Sequence, residues 1–227
     1  MGHMVEFASN GKTAVGYLAH SLSGSGPGVI VIQEWWGLVP HIKDVADRLA
    51  AEGFTALAPD LYHGEATAEP DDAGKLMMNL DLPVAAQDMS GAVDFLLADE
   101  ACDSSTAGAI GFCMGGGMVL WLSTIKPDVA ACVPFYGVIP WDGVQPDYAD
   151  SNAAYLGHYA DLDNPATNDG ARNTEARLRQ LGKDAKFHFY PGTNHAFFND
   201  ERADVFDSAA ADLAWQRTLE FLRESVL

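Results

Sequence analysis

The sequence is short of basic charge and of cysteine, and it has no apolar run long enough to cross a membrane. Thirteen Lys and Arg stand against 32 Asp and Glu, a formal charge of −19 over 227 residues. Such a surface repels nucleic acid and anionic membranes, so neither is expected as a partner. A membrane helix needs about 18 to 20 consecutive apolar residues, and the sequence contains no such run. The three cysteines, Cys102, Cys113 and Cys132, are odd in number and include no C-x-x-C pair. A disulfide scaffold or thiolate zinc site is therefore not expected, and a reducing, cytoplasmic setting fits best. No basic segment followed by an apolar stretch opens the chain, so no secretory leader is expected. Met1 to His3 read as extra residues ahead of a second Met at position 4. The glycine-rich segment 111–117 matches neither G-x-G-x-x-G nor G-x-x-x-x-G-K-[ST], which argues against a phosphate-cradling loop.

What is present is a chain that is 48% hydrophobic, enough for one domain with a sizeable core. Repeats, low-complexity tracts and linkers are not apparent, so residues 1–227 read as a single domain. Val5 to Phe7 and Thr13 to Leu18 read as a short entry pair of strands. Gly28 to Gln33 is a continuous apolar run of the buried parallel kind. Ile42 to Glu52 spaces its apolar residues as a helix, closed by Gly53. Phe54 to Ala58 is a further strand. Residues 63–83 are polar and read as a loop with a helical segment, a candidate lid over one face. Val84 to Leu97 and Met118 to Ile125 read as helices. Ala107 to Ile110, Val129 to Tyr136, Ala154 to His158 and Lys186 to Tyr190 read as strands, and Val205 to Leu227 as a closing amphipathic helix. Strands alternating with helices predict an α/β fold with a mostly parallel central sheet covered on both faces.

One segment carries most of the chemical information. Gly111-Phe112-Cys113-Met114-Gly115-Gly116-Gly117 has the form of a nucleophile elbow, G-x-C-x-G, between a strand and a helix. The nucleophile of such a turn is held in a strained backbone conformation, and neighbours lacking a Cβ let strand and helix close around it. A buried, inert cysteine in a glycine-rich turn is the plainer alternative.

An elbow needs a base and an orienting acid, following it in the order acid, then histidine. Of seven histidines, His195 lies on a turn-rich loop just after the last strand signal, from where it could reach the elbow. His158, His188, His63 and His41 read better as surface or satisfied, partly buried groups. For the acid, Asp161 and Asp163 both follow a strand, and spacing does not separate them; Asp163 is preferred. Glu34 ends the strongest apolar strand, at the edge where parallel sheets place their sites. Beside Trp35 and Trp36 it would be partly desolvated and able to exchange a proton with a thiol.

With these positions laid out, the sequence resembles the dienelactone hydrolase family of the α/β-hydrolase fold. The resemblance rests on Val31-Ile32-Gln33-Glu34 with Gly37, on Ala58-Pro59-Asp60-Leu61-Tyr62, on the elbow, on Gly157 to Asp163, and on Gly192-Thr193-Asn194-His195-Ala196-Phe197. It implies a cysteine-dependent hydrolase of small esters or lactones working through a thioester, with no metal or organic cofactor. Cys113 would be the nucleophile, His195 its partner and Asp163 the orienting acid, with Glu34 interacting with the resting thiol. The backbone N–H groups of Trp35 and Met114 would form the oxyanion hole.

One departure stands out. The family's well-known members hold a substrate carboxylate with arginines, one shortly after the catalytic histidine. Here Ala196, Phe197, Phe198, Asn199 and Asp200 follow His195, and the first arginine is Arg202. Between residues 64 and 83 the only cation is Lys75. Trp36, Tyr62, Phe197 and Arg202 are the expected substrate contacts, in a pocket more apolar than the family's usual one. A monomer or small homo-oligomer is expected. The competing readings are a non-catalytic small-molecule binder on the same fold and a redox sensor using Cys113.

Overall fold

The computed structural model describes every residue except Asn10 and Leu227. Eight strands form one sheet in the order β1-β2-β4-β3-β5-β6-β7-β8. They are β1 (His3–Ser9), β2 (Lys12–Ala19), β3 (Gly26–Ile32), β4 (Thr55–Pro59), β5 (Cys102–Phe112), β6 (Val129–Phe135), β7 (Ala154–Ala160) and β8 (Ala185–Tyr190). Strands β3 to β8 are mutually parallel, whereas β2 runs antiparallel to both β1 and β4. The six helices are α1 (Pro40–Ala51), α2 (Pro70–Met78), α3 (Leu82–Leu97), α4 (Met114–Ile125), α5 (Pro165–Gln180) and α6 (Ser208–Ser225).

The continuous apolar runs become the middle of the sheet because both of its faces are covered. On one face Ile42, Val45 and Leu49 of α1 and Ala214, Leu219 and Leu222 of α6 pack with Val29, Val31 and Ile110. On the other face Met89 and Leu96 of α3, Met118 and Leu122 of α4, and Leu178 of α5 pack with Ile30, Ile32 and Ala109. Residues alternate along β3 between the two clusters, as strand geometry requires. Among the described residues no helix is long and apolar enough to cross a membrane.

Several element boundaries differ from the sequence reading. Helix α4 begins at Met114, directly after Cys113, rather than at Met118. Its three glycines are poor helix formers, but tertiary contact overrides that preference: a Cβ on Gly115 would lie 2.4 Å from the carbonyl oxygen of Ile32. The polar segment 63–83 contains α2 and the start of α3, whose Asp81 side chain caps the helix by accepting from Val84 N–H. Helix α5 was not anticipated, because few apolar residues mark it. Its start was nevertheless written in the sequence as Asn164-Pro165, with the Asn164 side chain capping Ala166 N–H and proline in the first turn. Helix α6 starts at Ser208, capped by Asp207, rather than at Val205, and the expected end at Leu227 lies outside the described residues.

Gly111 is the tightest point of the strand–helix turn, since a Cβ there would sit 2.0 Å from the carbonyl oxygen of Gly115. Gly111→Ala should therefore destabilise the fold by about 2 kcal/mol or more, as overpacking does. A urea denaturation midpoint equal to that of the parent would show that the turn yields freely.

Candidate active site

Four strand ends at the carboxyl edge of the sheet deliver the candidate residues to one place. Cys113 follows β5, Glu34 follows β3, Asp163 follows β7 and His195 follows β8. Cys113 has φ 54° and ψ −115°, a left-handed conformation that costs a non-glycine residue about 1–3 kcal/mol unless the surroundings impose it. They do so here. Its N–H donates to the Phe135 carbonyl at 3.0 Å, and its own carbonyl accepts from Gly116 N–H at 3.0 Å. The side chain is thereby presented at the N-terminus of α4, where the first N–H groups have no intrahelical partner and the helix dipole favours negative charge.

His195 Nδ1 lies 2.7 Å from Asp163 Oδ2. The carboxylate is 4% exposed and the imidazole 40% exposed, so a buried acid orients a ring that still reaches the solvent-facing side. The ring lines the same cavity as Cys113, close enough for the sulfur to act on it electrostatically. Asp163 therefore meets the histidine, while Asp161 is an exposed residue whose carbonyl accepts from the Asn168 amide. Burial works against the imidazolium of His195, but the Asp163 hydrogen bond and the charges of Cys113 and Asp163 outweigh it and lift the pKa to about 10. A pKa raised on folding means that the stabilisation is fully present below pH about 6.5 and is lost as pH rises through about 10. Asp163→Asn should thus cost more stability at pH 6 than above pH 10. Equal costs at both, measured by urea unfolding, would contradict this pairing.

Glu34 is 1% exposed. Its Oε2 accepts from the Asn199 amide at 2.8 Å, and its Oε1 accepts from the Tyr136 hydroxyl at 3.3 Å. Burial, together with the charges of Glu34 and Cys113, raises the Tyr136 phenol well above its ordinary range and keeps it a neutral donor. Glu34, Cys113 and His195 share a cavity of about 300 Å³ with Trp35, Trp36 and Met77. The sequence reading missed three of these neighbours. Tyr136 directly follows β6 at the same sheet edge and Asn199 lies four residues after His195, so both had a positional signal. Met77, on α2, had none. Through it the 63–83 segment supplies one wall of the cavity.

Of the expected substrate contacts, Trp36 and Arg202 line the cavity. Arg202, however, points its Nε and one terminal nitrogen at the Asp204 carboxylate, at 3.1 and 2.9 Å. Phe197 and Tyr62 do not line the cavity. Phe197 is fully buried, its ring edge-on to Tyr136 and tilted against Tyr190 in the core of the α1/α6 face. Tyr62 is buried on the opposite face and donates to Met114 Sδ at 3.2 Å. Aromatic identity near a site does not distinguish a pocket wall from the core behind it. His41 also departs from its reading as a surface or satisfied group: it is 1% exposed, and neither ring nitrogen has a hydrogen-bond partner among the described residues, although Nδ1 lies 3.3 Å from the Asp200 carboxylate. His158 is buried and satisfied, by Tyr190 and Thr218. Among the described residues no group of three or more His, Cys, Asp or Glu side chains is arranged to hold a metal ion.

The sequence pattern of the dienelactone hydrolase family matches residues 15–226. The chain belongs to that family. It is accordingly a hydrolase. Protein usf of Aquifex pyrophilus is 38% identical, with 99% of each chain covered. A protein of Aquifex aeolicus provisionally named a carboxymethylenebutenolidase is 33% identical over 98% of each. Among solved structures, a Klebsiella pneumoniae protein likewise provisionally named a dienelactone hydrolase superposes with a TM-score of 0.85 at 28% identity, over 98% of this chain and 99% of that one.

Proposed function

We propose that the protein is a cysteine hydrolase of small, neutral esters or lactones. The observation that carries this reading is the linked arrangement of Cys113, His195 and Asp163 at one sheet edge, with the nucleophile at a helix N-terminus. The Cys113 thiolate attacks the carbonyl carbon, and the electron pair moves onto the carbonyl oxygen. The N–H groups of Met114 and Trp35 receive that charge, the first being a free donor of the opening helical turn. When the tetrahedral intermediate collapses, the imidazolium of His195 gives its proton to the departing alkoxide, leaving a thioester on Cys113. Neutral His195 then takes a proton from water, which attacks the thioester and restores acid and thiolate. Asp163 holds the ring with Nδ1 protonated throughout, as the orienting member of a triad does.

Glu34 has a supporting part in this account. Held by Tyr136 and Asn199, it faces the same cavity as the thiol and exchanges a proton with it in the resting enzyme, which protects the sulfur from oxidation. Asn199→Ala should free this carboxylate. We expect peroxide to inactivate the Asn199→Ala variant several-fold faster than the parent, by a judgement of scale from the loss of one charged hydrogen bond. An unchanged inactivation rate would remove Glu34 from the protective role.

Neutral substrates are favoured because the cavity holds Glu34 and lies beside Asp163, while the cation at its edge, Arg202, is already paired with Asp204. The test is hydrolysis of a neutral aryl acetate and of a dienelactone by the parent protein. Faster turnover of the neutral ester fits the proposal; a strong preference for the carboxylate-bearing lactone would overturn the neutral-substrate part of it.

A further inference from the structure

A second cavity, of about 420 Å³, adjoins the catalytic one and shares Trp36 and Arg202 with it. Its other walls are apolar over most of their extent: Val39 and Pro40 at the start of α1, Ala68 ahead of α2 and Pro70 at its first position. The enclosure is built into the fold. The Thr67 N–H donates to the Trp36 carbonyl at 3.0 Å, which ties the 64–70 segment to the loop that carries Glu34. On the far side Asn199, fixed by its bond to Glu34, closes the wall. The catalytic cavity, at about 300 Å³, lies at the lower end of the roughly 300–1,000 Å³ that ligand pockets occupy. It has room for the reacting carbonyl and a small group, and bulk beyond that must go elsewhere.

We infer that the adjoining cavity is a substrate subsite, which takes the longer apolar arm of a neutral ester past Trp36 while the carbonyl sits at Cys113. The inference rests on the hydrolase reading and adds the class of substrate. An anionic arm is disfavoured there, because Glu201 lines the cavity and the guanidinium of Arg202 is engaged by Asp204. An alkyl or aryl arm gains by leaving water for the Val39, Pro40, Ala68 and Pro70 surface. Trp36, standing between the two cavities, sets which arms pass.

The test compares kcat/KM for two pairs of neutral esters, 4-nitrophenyl hexanoate against acetate and hexyl acetate against ethyl acetate. These extend the acyl and the alcohol arm respectively. In the parent, at least one pair should show a preference of about tenfold or more for the longer arm. Ala68→Trp, at an exposed position on the cavity wall, should collapse that ratio toward one, and Ala68→Leu should reduce it partially. Circular dichroism checks that each variant is folded. A parent ratio near one in both pairs, or a ratio that survives in folded Ala68→Trp and Ala68→Leu, overturns the subsite. Absence of Cys113-dependent turnover with even the short esters would instead overturn the hydrolase reading beneath it.

Discussion

Cys113→Ala is expected to lower ester turnover by at least about 10⁴-fold while the far-ultraviolet circular dichroism stays that of the parent. Removing the nucleophile from an enzyme that works by covalent catalysis costs about this much or more, because the remaining machinery acts only on the intermediate that no longer forms. The fold should survive. The left-handed geometry at position 113 is imposed by backbone bonds to Phe135 and Gly116 that an alanine also makes. Cys132 offers no substitute, since it is fully buried, donates to the Val119 carbonyl at 3.3 Å, and has its pKa pushed upward by desolvation. A folded variant as active as the parent would end the cysteine mechanism.

The second large effect is expected at His195. His195→Gln should reduce kcat/KM by about 10³-fold or more at neutral pH, the scale of losing a triad partner. Its pH profile should also change shape. In the parent the imidazolium persists up to about pH 10 and is available as the thiol's partner across the neutral range. Without that partner the thiol must ionise alone, and a free cysteine does so near pH about 8.5. Residual activity in the variant should therefore climb between about pH 7 and 9.5 while the parent changes little. A parallel drop with no change of profile would mean that His195 contributes position and not charge.

The sequence made the sheet and the elbow legible because both are written in local pattern. Continuous apolar runs marked β3, β5 and β6, and only glycine could satisfy the close approaches at positions 111 and 115. The choice between Asp163 and Asp161 was not local. It depends on a turn after β7 that directs one carboxylate toward His195 and leaves the other exposed. Helix α5 was missed because its apolar stripe is thin, although its capping asparagine and proline were present. The placement of Phe197 was not legible, because a ring next to a site residue on a strand-end loop can turn either way, and here it turns into the core. The hydrogen bonds from Tyr136 and Asn199 to Glu34 bridge residues 102 and 165 positions apart, a distance over which local pattern carries no information.

The most direct measurement is to trap the intermediate. The parent is mixed with 4-nitrophenyl trimethylacetate, whose hindered acyl group leaves a thioester slowly, then quenched in acid and mapped by peptide mass spectrometry. The mechanism predicts one acyl group on the peptide carrying Cys113, absent from Cys113→Ala and disappearing at the rate of steady turnover. An acyl group trapped on another residue while turnover continues, or full turnover by Cys113→Ala, would contradict it.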